Sequence, residues 1–400
     1  MSQALQVVVA GHICFDVIPA FRGTQKTEIS ELFVPGKLLN MGGVKISTGG
    51  PVSNTGLGLS MLGINTRLMG KIGDDFFGEG VLELLRQRGA ADGMIVVNGE
   101  ETSYTIVIVP PGLDRIFLHN PGANNTFGAD DIDYDLVQQA KLFHLGYPPL
   151  MKRLFANDGE QLIAIFKRVK ALGVTTSLDM SLPDPASESG QVNWEKVLTG
   201  LLPYVDIYLP SVEETMFMIQ RDALSQLHDK AHGGDPLLNL DMNVLPALGA
   251  RLLAMGTKIA VLKAGLRGYY IRTADAGALA SMGTALPTTV DNWANKELIE
   301  EGYNVPVAAA TGSGDSSIAG FLAAYLNGLS IEQAIRTACV VGAQNVQVFD
   351  AVSGIKGWDE TMVMAAGNMP KHKFPIDGDY WQWNAAQGNW VGKAQASTGA

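Results

Sequence analysis

The chain contains 400 residues, with 29 Lys and Arg against 40 Asp and Glu, so its net charge is −11. This acidic balance excludes broad attraction to nucleic acid or to anionic membranes, because both require clustered basic side chains. A composition of 46% hydrophobic and 17% charged residues is typical of a folded globular protein. Cys14 and Cys339 are the only cysteines, and no stretch supplies about 20 uninterrupted apolar residues, so we expect a cytoplasmic protein without disulfides or membrane spans.

The first predicted element is a strand over residues 5–10, where a β-branched run that ends at Gly11 indicates burial on both faces of a parallel sheet. From residue 141 onward, helical patterns alternate with short apolar runs at 142–145, 175–179, 207–210 and 259–263. This alternation predicts an α/β fold with a doubly wound, mainly parallel sheet flanked by helices. Ligands of such sheets bind at the carboxyl ends of the strands, where Asp179 is expected.

Two stretches lack helical periodicity and alternate strand-like with turn-like pieces, at residues 13–48 and 93–120. We predict that they form one small β subdomain together. The length of the chain fits one large α/β domain with this appended unit as well as it fits two domains.

A turn of small residues leads into a predicted helix within residues 310–328, and one carboxylate, Asp315, lies at the junction. The N–H groups and the dipole at a helix N terminus favour an anion such as phosphate, so Gly312, Ser313 and Gly314 form the predicted anion hole. Asp315 is the predicted general base for an acceptor hydroxyl, and the alternative is an ordinary capping aspartate. The helix dipole is expected to lower the pKa of this carboxyl.

Three glycine-containing segments carry a family resemblance. Residues 48–54 are TGGPVSN, residues 70–78 are GKIGDDFFG and residues 309–315 are AATGSGD. In order and spacing these segments resemble motifs of the ribokinase-like (PfkB) carbohydrate kinases, and the resemblance spans roughly residues 5 to 355. The sequence contains no G-x-x-x-x-G-K-[ST] segment, which excludes a P-loop kinase.

The resemblance implies an ATP-dependent, Mg²⁺-requiring kinase that phosphorylates a hydroxyl of a small sugar or sugar acid. It implies that the stretches at 13–48 and 93–120 form a β lid over the sugar. The substrate-binding positions that match the family are Asp16, Gly50, Asn54 and Arg115. A strand-end aspartate, a capping asparagine and a solvated hairpin arginine are the alternative interpretations of Asp16, Asn54 and Arg115.

The nucleotide side of the site is also implied by the resemblance, at Ser211, Glu214, Lys263, Gly265 and Gly268. Glu214 is expected to hold Mg²⁺ through water, and a surface helix glutamate is the alternative. Gly265 and Gly268 are expected to shape the loop beside the nucleotide, and an ordinary hairpin turn is the alternative. The resemblance leaves open whether a monovalent cation is also required.

The chain departs from the family pattern at several of these positions. Ala309 and Ala310 replace the usual Asp-Thr, Ser313 replaces Ala, and Ser211 replaces the Asn of an N-x-x-E element. These departures leave a non-catalytic sugar-binding or regulatory protein as one alternative function. A nucleoside kinase of the same family is the other, and a wider apolar pocket for a base would distinguish it.

Two segments lie outside the motifs. Residues 220–246 form a predicted polar insertion in which His228 and His232, four residues apart, indicate a solvated helix face or a metal site. We assign residues 1–370 to the kinase domain and residues 371–400 to a tail. Four aromatic residues of this tail are expected to be buried against the same subunit or against the other subunit of a homodimer, at Tyr380, Trp381, Trp383 and Trp390.

Overall fold

The computed structural model describes residues 4–22, 29–110, 115–374, 376 and 379–393. These residues form strands β1 (Val7–Gly11), β2 (Cys14–Phe21), β3 (Met41–Gly49), β4 (Thr66–Gly73), β5 (Met94–Val97), β6 (Tyr104–Ile108), β7 (Ile116–Asn120), β8 (Leu142–Gly146), β9 (Thr175–Asp179), β10 (Ile207–Tyr208), β11 (Ile259–Lys263), β12 (Tyr269–Thr273), β13 (Glu297–Glu300), β14 (Trp381–Asn384) and β15 (Asn389–Gly392). The helices are α1 (Ile29–Leu32), α2 (Pro51–Met61), α3 (Phe76–Arg86), α4 (Tyr134–Gln138), α5 (Lys152–Ala171), α6 (Trp194–Leu201), α7 (Val212–Ile219), α8 (Arg221–Ala231), α9 (Leu245–Ala254), α10 (Ala276–Ala280), α11 (Val290–Trp293), α12 (Ser313–Leu326), α13 (Ile331–Asn345) and α14 (Trp358–Ala366). Within the described ranges, no helix is long and apolar enough to cross a membrane.

A large sheet of 11 strands organises the molecule, in the order β14-β15-β13-β12-β11-β10-β9-β8-β1-β4-β5. The seven strands from β11 to β5 run parallel to their neighbours, and β12, β13, β15 and β14 continue the sheet in antiparallel pairing. The chain starts the sheet at β1 and adds β4 and β5 on one side of it. It then adds β8 and the later strands on the other side. Parallel sheets of this kind bind ligands where the strand order reverses, so the crevice lies at the carboxyl ends of β1 and β8.

Helices cover both faces of this sheet, and β1 shows why the sequence requires it. Val8 and Ala10 belong to a core on one face, whereas Val7 and Val9 belong to a core on the other face. Alternate residues of a strand point to opposite faces, so an unbroken apolar run needs helices on both. The predicted doubly wound α/β fold is confirmed.

The small sheet has the order β3-β2-β6-β7 and combines strands from both of the predicted stretches. One part of that prediction is wrong, because Met94–Val97 pairs in parallel with β4 at the edge of the large sheet. Gly70 and Gly73 of β4 align with Met94 and Val97, so this short apolar run pairs with a buried strand of the large sheet. Residues 23–28 and 111–114 of the predicted stretches lie outside the described residues.

The aromatic C-terminal segment is part of the large sheet. β15 pairs with β13, and β14 pairs with β15. Trp381 is only 6% exposed and lies edge-to-face against Tyr270, with ring centroids 6.2 Å apart. Trp381 is therefore buried against its own subunit, whereas Trp383 is exposed. A boundary at residue 370 divides one sheet. Residues 394–400 lie outside the described residues.

The polar insertion contains helix α8, which ends at Ala231, and His232 follows in a left-handed conformation with φ 49°. The two histidines therefore do not share a helix face. His228 lies on the exposed side of α8, with Nε2 3.5 Å from Oε1 of Glu213. Among the described residues, no group of three His, Cys, Asp or Glu side chains is placed to hold a metal ion.

We predict that Trp381→Ala lowers the free energy of unfolding by about 3–5 kcal/mol, because the substitution removes a large buried side chain and leaves a cavity. Trp383→Ala is the matched control, since Trp383 lies two residues away on the same strand and is 43% exposed. Urea unfolding of the two variants measures the difference. Equal losses would contradict the burial of Trp381 within the subunit.

Candidate active site

Two cavities meet at the carboxyl ends of the parallel strands. The larger, of about 690 Å³, lies in the β1/β8 crevice and is lined by residues of the small sheet, of the α2 N terminus and of the α12 N terminus. The smaller, of about 260 Å³, lies between the β11–β12 turn and α13. Ala310 and Gly314 line both cavities. The turn that precedes α12 therefore separates two ligand-sized spaces.

The turn before α12 places Gly312 at the N-cap position with φ 68°, a conformation that favours glycine. A Cβ on Gly312 would also lie 2.5 Å from the Cβ of Ala351. Because Gly312 has no side chain, the first-turn N–H groups of α12 lack a side-chain cap. One of the three N–H groups predicted for the anion hole already has a partner in the structure. The N–H of Ser313 donates to the carbonyl of Ala310 at 3.2 Å.

Asp315 lies in the first turn of α12 with 2% exposure and lines the larger cavity. Asn54 Nδ2 donates to its Oδ2 at 2.9 Å. The Tyr147 hydroxyl lies 3.0 and 3.1 Å from its Oδ1 and Oδ2. Burial raises the pKa of Asp315, and the hydrogen bonds from Asn54 and Tyr147 and the charge of Lys263 oppose this shift. The expectation that the helix dipole would lower this pKa is wrong, because desolvation dominates.

The structure contradicts one of the two interpretations of Asn54, the helix cap. Gly50, with φ 87°, is the N-cap of α2, so Asn54 does not cap the helix. Its amide nitrogen contacts Asp315, and its Oδ1 lies 3.3 Å from the Ser53 hydroxyl. Asn54 also lines the larger cavity, so it connects the cavity wall to the buried carboxylate.

Tyr147 is the functional candidate that the sequence analysis missed. It directly follows β8, at the sheet crevice, and its hydroxyl reaches Asp315 from 168 residues away in the chain. The available signal was an aromatic residue at the end of a buried strand. The contact with Asp315 depends on tertiary packing, so no local pattern indicates it.

Asp16 and a pair of histidines line the opposite wall of the larger cavity. Asp16 lies within β2, only 8% exposed, and burial raises its pKa to about 6. His12 and His119 approach with their Nε2 atoms 3.4 Å apart, and His119 Nδ1 lies 3.0 Å from the Thr105 hydroxyl. Burial lowers the pKa of both histidines and so favours their neutral forms.

Arg115 extends from the small sheet to the turn before α12. Its Nη1 donates to the Thr311 hydroxyl, and both residues line the larger cavity. A second cross-contact joins Lys45 of β3 to Asp350, with Nζ 2.8 Å from Oδ2. The small sheet therefore contacts the turn side of the larger cavity.

A charged cluster borders the smaller cavity at Lys263, the last residue of β11. Lys263 Nζ lies 2.5 Å from Oδ1 of Asp179 and 2.6 Å from the carbonyl oxygen of Leu209. Asp179, at the end of β9, is 1% exposed; burial raises its pKa and Lys263 opposes the shift. Lys263 therefore places a positive charge beside the buried carboxylate of Asp179.

Glu214 and Ser211 form a capping box at the start of α7. Glu214 Oε2 accepts from the Ser211 N–H at 2.6 Å, and the Ser211 hydroxyl accepts from the Glu214 N–H at 3.0 Å. Glu214 is partly buried, and burial raises its pKa. Gly265 and Gly268 line the smaller cavity with φ 56° and 88°, and they form a short turn between β11 and β12.

Comparison with known proteins identifies the family. A model described as the pfkB family of carbohydrate kinases matches residues 4–356. The chain belongs to this family. It is 24% identical over 299 residues to an uncharacterized sugar kinase of Archaeoglobus fulgidus, covering 75% of this chain and 98% of that one. It is 26% identical over 359 residues to "Probable fructokinase-6, chloroplastic" of Arabidopsis thaliana, covering 87% and 79%.

Solved structures show the same fold. The ribokinase of Arabidopsis thaliana complexed with ribose and ATP aligns with a TM-score of 0.65 at 20% identity, covering 92% of this chain and 100% of that one. The family match makes this chain a sugar kinase, a phosphotransferase. The predicted family and enzyme class are confirmed.

We predict that Lys263→Met destabilises this sugar kinase by about 3–5 kcal/mol, because it leaves the buried Asp179 carboxylate without its cation. The double variant Lys263→Met/Asp179→Asn is the matched control and should recover much of the loss. Urea unfolding at pH 7 measures both. A loss below about 1 kcal/mol in the single variant, the range of exposed pairs, would contradict a buried ion pair.

Proposed function

We propose that this kinase transfers the γ-phosphoryl group of ATP to a hydroxyl of a small sugar or sugar acid, with Asp315 as the general base. The observation that carries the proposal is the placement of Asp315 where the two cavities share the Ala310–Gly314 turn. Phosphoryl transfer requires the attacking oxygen of the acceptor and the leaving oxygen of the donor to lie roughly in line on either side of the transferred phosphoryl group. The ribose and ATP named for the Arabidopsis ribokinase support the same division between an acceptor and a nucleotide.

The smaller cavity is the proposed nucleotide site. Its wall contains Gly265, Gly268, Lys263 and the start of α12, which offer turn backbone, a cation and uncapped N–H groups to phosphates. Ser211 orients the Glu214 carboxylate beside it. Mg²⁺ takes one or two protein carboxylates together with substrate phosphates, so a single Glu214 acting through water fits. When bound, the ion would neutralise charge on the phosphates.

The larger cavity is the proposed acceptor site, with Asp16, Gly50 and Asn54 on its wall and Arg115 on the small sheet above it. Asp16 accepts hydrogen bonds from sugar hydroxyls in its ionised form. Arg115 closes the acceptor side and contacts Thr311. The small sheet acts as a lid, which limits transfer of the phosphoryl group to water.

Asp315 accepts the proton of the acceptor hydroxyl. Its raised pKa increases its strength as a base relative to an exposed aspartate, while the donors from Asn54 and Tyr147 favour the ionised form. Little activation of the hydroxyl is needed in a loose phosphoryl-transfer transition state, so orientation by the carboxylate matters most. The N–H groups of Gly314 and of the α12 first turn face the transferring phosphoryl group.

We predict that Asp315→Asn lowers kcat by roughly 10²- to 10⁴-fold, the range for a positioned acid–base group, while ATP binding is retained. Asn keeps the shape of the side chain but accepts no proton. Steady-state kinetics and nucleotide titration measure the two effects. The control is Asp158→Asn, which removes an exposed carboxylate that pairs with Lys196 far from both cavities. Turnover of Asp315→Asn within about threefold of the parent would refute the assignment of the base.

A nucleoside acceptor is the second candidate, and the apolar rim of the larger cavity favours it. Phe117 and Leu182 line this cavity with 54% and 43% exposure, and Pro183 and Pro185 lie beside Leu182. Such a rim suits a flat heterocyclic base better than a free sugar.

An acceptor screen distinguishes the two candidates. ADP release is measured with D-fructose, D-ribose, gluconate and adenosine, each at the same concentration. We expect release with a sugar or sugar acid, and Phe117→Ala should leave that rate within about twofold. Release with adenosine alone, lost in Phe117→Ala, would establish the nucleoside function instead.

A further inference from the structure

Tyr147 adopts a backbone conformation that tyrosine rarely takes. Its φ and ψ are 63° and 42°, in the left-handed region, and Pro148 follows directly. Residues other than glycine are sterically disfavoured there, and a following proline restricts the backbone further. Its N–H donates to the carbonyl of Asp179 at 3.3 Å and its carbonyl accepts from Leu150 at 3.0 Å, so the surrounding chain maintains the conformation. Strained residues of this kind concentrate at functional sites.

The side chain of Tyr147 makes its polar contact with Asp315. The Tyr147 hydroxyl lies almost equally far from both Asp315 oxygens, at 3.0 and 3.1 Å. Asn54 contacts Oδ2 at 2.9 Å, and the Thr55 hydroxyl lies 3.5 Å from Oδ1. Donors from α2 and from the end of β8 therefore hold the carboxylate from two sides of the crevice.

We propose that Tyr147 is a positioning residue for phosphoryl transfer, whose hydroxyl fixes the Asp315 carboxylate toward the acceptor hydroxyl and favours its ionised form. The inference rests on the proposed role of Asp315 as the base. Tyr147 does not itself exchange a proton with the acceptor. Its phenol remains a donor at neutral pH, because burial and the neighbouring Asp315 raise its pKa.

Several charged and titratable groups surround Asp315 and influence its pKa. They are Lys263 of β11, Asp179 of β9, Glu214 of α7, Tyr269 of β12, and His12 and Arg115 beside the acceptor cavity. Tyr147→Phe retains all of these side chains and removes only the phenolic hydroxyl. A hydrogen bond to a carboxylate stabilises its charged form, so its loss raises the pKa of Asp315 further.

The test is the pH dependence of kcat in Tyr147→Phe, measured with saturating ATP and the acceptor that supports turnover in the screen. Saturation matters because kcat/KM also reports Asp16 in the free enzyme. We expect the acidic limb of kcat to move to higher pH by about one unit, the shift that corresponds to one charge-assisted hydrogen bond, and the plateau to fall about tenfold. Tyr134→Phe is the matched control, since Tyr134 is 8% exposed and its hydroxyl has no hydrogen-bond partner among the described residues. Its profile should match the parent.

A second measurement does not depend on the stability of the variant. In the parent protein labelled with ¹³C at the hydroxyl-bearing ring carbon, one of ten tyrosine signals should shift with the midpoint of the acidic limb. That shift should be absent from Asp315→Asn. If no tyrosine signal follows the limb, or if Tyr147→Phe lowers kcat without moving the limb, the positioning role is overturned. Full turnover in Asp315→Asn would instead refute the base itself, which separates the two failures.

Discussion

The burial of one carboxylate constrains the whole site. Asp315 lies at the N terminus of α12 and is almost fully removed from solvent. A buried carboxylate is destabilising unless hydrogen bonds and a nearby cation compensate it. Asn54 and Tyr147 supply the hydrogen bonds, and Lys263 supplies the positive charge. These three residues come from α2, from the end of β8 and from the end of β11, so the position of Asp315 depends on the assembly of the large sheet.

Close approach between elements makes this arrangement feasible. Gly49 and Gly50 lie where β3 enters α2, and Cβ atoms on them would lie 2.4 Å from Asp16 Oδ2 and 2.5 Å from the His12 carbonyl oxygen. Gly312 permits the same close approach between the α12 turn and Ala351. Glycine therefore serves two purposes here, since it lets α2 and α12 converge at the crevice and leaves backbone N–H groups open to a phosphate.

Charge is distributed unevenly between the two cavities. The smaller cavity is bordered by Lys263, which pairs with Asp179 and lies near the Glu214 capping box. The larger cavity is lined by His12, His119, Asp16 and Arg115 and has an apolar rim. A cation beside phosphates and hydrogen-bonding groups beside hydroxyls match the two partners of a phosphoryl transfer. The rim residues Phe117 and Leu182 are exposed within this cavity.

The sequence determined the elements whose signal is local. The apolar run that became β1 required two covered faces, and the small-residue turn and following periodicity predicted α12 with Asp315 in its first turn. The motif order indicated the family. Tertiary structure alone decided that Met94–Val97 joins the large sheet, that the C-terminal aromatic strands complete it, and that Asn54 and Tyr147 meet at Asp315. Local patterns encode which face of a segment is apolar, whereas pairing partners depend on contacts with other segments of the chain. The hydrogen bonds of Asn54 and Tyr147 to Asp315 join residues 261 and 168 positions apart, and the desolvation that raises the Asp315 pKa likewise depends on tertiary packing.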